Sequence, residues 1–226
     1  MPLLGQAAML LSFDVLAEAI TEHDDWHTHE HLPERLSIPG FIRGTRWVAL
    51  TGSPRYFVAY EVEQLSTLSS TAYLERLNHP SPWTTKIMPH YRGMSRGFCT
   101  VAGSFGVGLG HAGLLVRFTP APGAEASLRT RLLEEMLPRL PSSPGLGSAH
   151  LFEAAATPVM TREQSIRGAD APVGWSILVM GYRQEALAEL AQQALGDASM
   201  AELGATDISS ALYRLDYSLA RQDLVV

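Results

Sequence analysis

The sequence predicts an α+β chain of two tandem ferredoxin-like βαββαβ repeats packed sheet against sheet, and three observations predict it. The first is an echo between "AAMLLSFDV" (7–15) and "AGLLVRFTP" (112–120), short β-type apolar runs that place Phe13 and Phe118 105 residues apart. The second is that the same offset, carried forward without gaps, lays "EHLPERLSIPG" (30–40) on "EMLPRLPSSPG" (135–145). Pro33 then meets Pro138, Pro39 meets Pro144, and Gly40 meets Gly145. The third is that both halves read in the same order of strand and helix signals.

In the first half, 9–15 reads as a strand and 17–36 as a helix that the Pro39-Gly40 turn ends. Two β-rich runs follow, 42–50 and 55–63, separated by the hairpin signal Thr51-Gly52-Ser53-Pro54. A second helix lies within 69–90, interrupted by Pro80 and Pro82, and 97–105 closes the unit as a strand. The second half repeats the order with 114–119, 124–140, 148–154, 175–182, 184–195 and 208–219, and carries an inserted loop over 157–173. Such a unit places both helices on one sheet face, so the other face needs cover, and two units in one chain supply it to each other. The expected division is 1–106 for the motif-bearing repeat and 107–226 for the degenerate one. The glycine-rich stretch 103–113 is the expected join. Its "GVGLG" does not sit between a strand and a helix N-terminus, which argues against a phosphate loop.

Composition limits the function. Acids outnumber bases 23 to 17 and the formal charge is −6, so a nucleic-acid partner, which needs a Lys/Arg surplus, is not expected. No apolar run reaches about 18 residues, and the apolar N-terminus lacks a basic leader and meets Asp14 and Glu18 early, so no membrane partner is expected. The lone Cys99 cannot form an internal disulfide, which fits a reducing compartment, with the cytoplasm as default. Cys99 sits in a β-type run beside Phe98 and reads as core.

The stretch "HDDWHTHEHLPERLSIPGF" is the chemically densest in the chain. Its Trp26, His31, Pro33 and Pro39-Gly40 resemble the EthD-like families of the dimeric α/β-barrel superfamily, whose first helix carries a W-x4-H-x-P pattern and ends at a Pro-Gly turn. The resemblance covers the first half through "HYRGMSRGF" and the second half only through the repeat. It implies the fold, and families holding dehydratases, muconolactone isomerases, metal-free monooxygenases and members without known activity, so the reaction stays open.

At helical spacing His23, His27 and His31 form one stripe, with Asp24 beside it and His29 pointing elsewhere. Three readings follow. His31, at the family's histidine position and replaced by Met136 in the second repeat, is the candidate acid/base, because an imidazole with a pKa of about 6.5 both takes and gives a proton. A structural reading makes it a buried imidazole bonded to a backbone carbonyl, with Trp26 as plain core. A metal reading pairs His27 with His31, but no H-E-x-x-H motif or second ligand cluster supports it, and no metal site is assigned.

"HPSPWTTKIMPHYRGMSRGF" adds Trp83, His90, Tyr91, Arg92 and Arg96, aromatic surface and donors suited to an aromatic or carboxylate-bearing ligand. The expected pocket lies between sheet and helices in the first half, with His31 as acid/base and Trp26, His27, Trp83, Tyr91 and Arg92 as ligand contacts. The expected function is cofactor-free proton transfer on a small molecule, an isomerisation or dehydration; the alternatives are a non-catalytic small-molecule binding protein and a metal-dependent enzyme using His27 and His31. Arg43 and Arg46 are expected on an ion-paired or solvated strand face. An open strand edge is the remaining route to a homodimer.

Overall fold

The computed structural model describes residues 3–50, 52–155 and 160–224. Its eight strands are β1 (Ala7–Val15), β2 (Phe41–Ala49), β3 (Tyr56–Val62), β4 (Tyr91–Gly106), β5 (Ala112–Pro120), β6 (Leu146–Ala154), β7 (Trp175–Gly181) and β8 (Ala205–Ala220). They pair antiparallel and close into a barrel in the order β1-β3-β2-β8-β5-β7-β6-β4. Successive side chains of a strand alternate between barrel interior and helix-covered exterior. Leu10, Trp47, Phe57, Ala59 and Cys99 fill the interior with partners from β5 to β8. Met9, Phe13, Val58 and Tyr60 instead join the core beneath the first-half helices. Both faces are buried, which is why β3 is buried at every residue, Glu61 included.

The two halves pair in the same register. Met9 faces Tyr60 and Leu114 faces Val179; Val15 faces Tyr91 and Pro120 faces Ala205. Each long strand changes partner along its length. β4 leaves β1 for β6, and β8 leaves β5 for β2, with a register shift beside Arg46 in one junction and beside Val101 in the other. The eight strands thus close on themselves, so the open edge expected to support a homodimer is absent from the central pairing.

Helix α1 is continuous over residues 17–37, as the pattern predicts, but its turn at His27–His31 is widened, Leu32 N–H bonding the His27 carbonyl. Pro33 explains this: it brings no N–H, and its ring presses on the carbonyl four residues back, at His29. In the second half Pro138 follows the same widened turn, with Leu137 N–H on the Leu132 carbonyl. Gly40 and Gly145 end these segments at φ of 88° and 94°, conformations that disfavour a side chain.

The remaining helices are α2 (Thr71–Asn78), α3 (Pro82–Ile87), α4 (residues 125–136), α5 (Arg162–Arg167), α6 (Gln184–Gln192) and α7 (Asp197–Glu202). Among the described residues no helix is long and apolar enough to cross a membrane. Three expectations need correction. The join is shorter than expected, because Gly103 to Gly106 belong to β4 and only residues 107–111 connect the halves. The segment called a loop over 157–173 contains α5; residues 156–159 and Thr51 lie outside the described residues. The predicted helix at 184–195 is α6, which ends at Gln192, and α7 follows as a separate helix that the sequence reading left out.

Candidate functional site

The histidine stripe faces inward. His23, His27 and His31 are 0%, 2% and 8% exposed, so the polar run is not a wet helix face. Their rings step along α1 with centroids 5.5 and 5.6 Å apart, and Trp26 lies against His31, centroids 4.3 Å apart and planes tilted by 35°.

Each ring has a different environment. His23 bonds Asp24 through Nδ1 at 3.1 Å and the Tyr91 hydroxyl through Nε2 at 3.2 Å. His27 Nδ1 lies 3.3 Å from an Arg46 Nη1, and because a guanidinium only donates, Nδ1 must accept. The proton therefore sits on Nε2, which donates to the Tyr60 hydroxyl at 3.3 Å. His31 differs: its Nδ1 is buried without a partner. That removes the structural reading in which the ring bonds a backbone carbonyl, while Trp26 is core as that reading had it, its Nε1 donating to Glu30 and Thr84.

Burial holds His27 and His31 well below the usual imidazole range, reinforced at His27 by His23 and Arg46 and at His31 by Arg35. His31 is therefore neutral at pH 7. The expectation of an imidazole titrating near 6.5 is corrected accordingly. Burial raises the Asp24 carboxyl, but hydrogen bonds from His23 and Tyr56, with the Arg46 charge, bring it below its ordinary value.

His27 and His31 line a cavity between the first-half sheet and helices, together with Tyr60, Tyr73, Tyr91, Arg96 and a largely apolar set that includes Met9, Phe13 and Met94. Its volume is about 30 Å³, room for roughly two waters, since one water centre needs about 10–15 Å³. Two lining residues come from elsewhere: Glu163 and Arg167 belong to α5, inserted between β6 and β7.

Of the six sequence-predicted contacts, the structure brings His27, His31 and Tyr91 to the cavity and places Trp26 behind His31. Trp83 and Arg92 are corrected. Trp83 is half-buried on α3 and donates to Glu22 at 3.2 Å, while its neighbour Thr84 turns inward to Trp26. Arg92 is exposed and donates to the Pro89 and Tyr91 carbonyls. The cause is a bulge: Ser12 faces Ser95 but Asp14 faces Arg92, so β4 carries an extra residue near Gly93, whose φ is 59°. The alternation breaks there, and Arg92 faces out while Arg96 faces in.

Sequence reasoning missed Tyr60, Arg35, Glu163 of α5 and Asp170 just after it. Arg35 is 1% exposed and pairs with Glu163 and, at 3.1 Å, with Glu34. Arg96 donates to Gln164 at 2.9 Å and places Nε 3.0 Å from Asp170, an ion-pair contact outside hydrogen-bond geometry. Arg46 pairs with Asp216 at 2.7 Å, and Arg43 with Glu61 at 2.6 Å, so that strand is ion-paired rather than solvated. Cys99 is buried in the barrel, burial pushing its thiol up to about 12, in keeping with a core role.

The His27–His31 metal pair meets a specific obstacle, because Arg46 occupies one His27 nitrogen and Tyr60 the other. Among the described residues no three His, Cys, Asp or Glu side chains converge as a ligand set.

No family model matches the chain, and no curated protein does. Solved structures do match in fold. An anthrone oxidase-like protein aligns over 95% of this chain and 92% of its own at 11% identity, with a TM-score of 0.69. A protein provisionally named a monooxygenase from Fusobacterium nucleatum covers 96% of each chain at 8% identity and TM-score 0.57. A chlorite dismutase from Candidatus Nitrospira defluvii, solved with imidazole, aligns over 93% and 91% at 11% identity and TM-score 0.57. The chain is similar to these in architecture, a ferredoxin-like dimeric α/β barrel. Fold at such identity carries no reaction with it.

Proposed function

We propose that the chain binds a small organic molecule in the first-half cavity and moves a proton on it through His31, without a cofactor, in an isomerisation or dehydration. The observation that carries this reading is the partnerless Nδ1 of His31, a buried polar atom at the wall of a cavity. An unpaired buried polar atom costs about 1–3 kcal/mol, so its retention favours a partner that arrives from outside. Its neutral state sets the terms. An imidazole held neutral beside Arg35 is a poor base alone, and an anionic ligand would offset that charge and raise its basicity.

We also propose that the two halves descend from one duplicated unit, and that the chain is an EthD-like member of its superfamily. Matching strand registers and paired widened turns support the first; Trp26 packed against the histidine of the W-x4-H-x-P pattern supports the second.

The experiment replaces His31 by Gln and by Met, the residue at the corresponding place in the second half, and screens lactones and planar carboxylates for binding and turnover. Expected is loss of turnover by about 10²- to 10⁴-fold, the usual contribution of a positioned acid/base. Equal binding and turnover in both variants would remove His31 from the site. Binding without turnover in the unaltered chain, with affinity lost in both variants, favours the second reading, a non-catalytic binding protein.

A further inference from the structure

As closed, the cavity holds only about 30 Å³, so an organic ligand needs part of its wall to move, and one part of that wall is unlike the rest. Helix α5 and the residues after it, as far as Val173, reach from the second half across the first-half cavity. The backbone is laid along β4, Arg96 N–H bonding the Ala171 carbonyl at 3.0 Å and Ala171 N–H bonding the Met94 carbonyl at 2.9 Å. The side chains are held by charge. Glu163 sits on Arg35; Asp170 lies between Arg96 and Arg167; Gln164 bridges Arg96 and Asp170.

Seen from the sheet and helices of the first half, Arg96 lines the cavity with His31, whose Nδ1 has no partner, and the nearly buried Arg35 lies behind Glu163, close enough for its charge to act on His31. Among the described residues, Glu34 is the one acid of their own half that pairs with Arg35, and Arg96 finds its carboxylate in the inserted segment. The second half makes the association specific. Its hairpin counterpart, the β2–β3 connection, spans residues 50–55, and the places of Arg35 and Arg96 are taken by Leu140 and Ser210. Arginines and acidic segment occur together or not at all.

We infer that Arg35 and Arg96 form a carboxylate-binding subsite for a planar, apolar carboxylic acid, and that Glu163 and Asp170 stand in that subsite as the chain's own substitute for the ligand. The inference deepens the function proposed above and rests on the same cavity. Planar guanidinium forks match carboxylate geometry. Phe13, Met9 and Met94 give the body of such a ligand an apolar surface, and His31 lines the same cavity. Entry requires the segment to give way, and the incoming carboxylate replaces the charges that leave.

The test uses the intact chain, sodium benzoate as probe, benzamide as its uncharged counterpart and sodium chloride at matched ionic strength. Calorimetry measures affinity, and amide exchange of residues 160–173 reports whether the segment is displaced. In Glu163→Gln/Asp170→Asn, benzoate is expected to bind at least about tenfold more tightly than in the unaltered chain, with benzamide unchanged. Benzoate, and not benzamide, is expected to speed exchange across 160–173 in the unaltered chain. Each single variant, which keeps one of the two acids, is expected to fall between, and serves if the double variant does not fold. No benzoate binding by any folded variant, equal binding of benzamide, or unchanged affinity on neutralising the acids would overturn the subsite. Adding His31→Met to the double variant separates the two readings. Benzoate affinity that survives there upholds the arginine subsite and removes His31, whereas loss of charge preference with His31 intact does the reverse.

Discussion

The two halves of the barrel share strand order and register but are filled differently. Beneath α1, the first half holds His23, His27, His31, Arg35 and Arg46; at the 105-residue offset the second holds Leu128, Leu132, Met136, Leu140 and Leu151. Tyr60, which pairs with Met9, answers to Val179, which pairs with Leu114. Leu128, Leu132 and Val179 are fully buried in an apolar cluster. The frame therefore tolerates either filling, and its stability does not require the polar one. Burying a charge or imidazole costs free energy that leucine in the same place would contribute, so the first half's polarity needs another reason. A ligand is that reason in the reading proposed here.

The comparison breaks most sharply at the Arg35–Glu163 pair. Glu163→Ala leaves a buried guanidinium short of its partner and is expected to cost about 3–5 kcal/mol in denaturant unfolding. Arg35→Leu combined with Glu163→Leu copies the second half's chemistry and is expected to restore stability to within about 1 kcal/mol of the original or better. A double variant as unstable as the single one would show that the first-half frame itself has come to depend on charge. In the second half, Leu132→Ala empties a fully buried site and is expected to cost about 2–5 kcal/mol. A smaller loss would mean that this core is less tightly packed than its burial implies.

The fold was legible because its signals are local. Strand 112–120 announces itself by composition, and the offset from β2 to β6 carries Phe41–Ala49 onto Leu146–Ala154 without a shift. The stripe of histidines was legible for the same reason, since helical spacing alone puts 23, 27 and 31 together. What was not legible depends on distant partners. Nothing near Glu163 in sequence signals that it meets Arg35, 128 residues earlier, and six residues of helix between Gly- and Pro-containing stretches read as loop. Arg92 was chosen over Arg96 because the bulge at Gly93, which sends them to opposite faces, leaves only a weak mark in the sequence. The neutrality of His31 likewise follows from burial and Arg35, which spacing cannot show.

Acid loads the first half more heavily, because burial lowers the pKa of His23, His27 and His31 there, while in the second half it holds His150 down to about 3. His27 and His31 have folded-state pKa values far below the unfolded value near 6.5, so above that pH both states are neutral and the residues contribute no pH dependence. Below it the unfolded chain takes up protons that the folded chain refuses, and stability falls as pH falls, by up to about 1.4 kcal/mol per pH unit for each such histidine. His31→Met is expected to remove about one proton from that slope between pH 6 and 5, measured by urea unfolding across the range. An unchanged slope would mean that His31 is already protonated when folded. A bound carboxylate is expected to flatten the slope in the same way, by letting His31 keep its proton.

The smallest effect is expected where the sequence reading and the structure part company. Arg92 bonds only carbonyls at the protein surface, and replacing it by alanine is expected to change stability by no more than about 0.5 kcal/mol and to leave benzoate binding untouched. Arg96→Met, four residues on, is expected to abolish the preference for benzoate over benzamide in the acid-neutralised variant. The two arginines share a strand and a side-chain type, and differ only in which face the bulge gives them. If Arg92→Ala instead weakens carboxylate binding as Arg96→Met does, then charge near the cavity mouth, not an arginine aimed into it, selects the ligand.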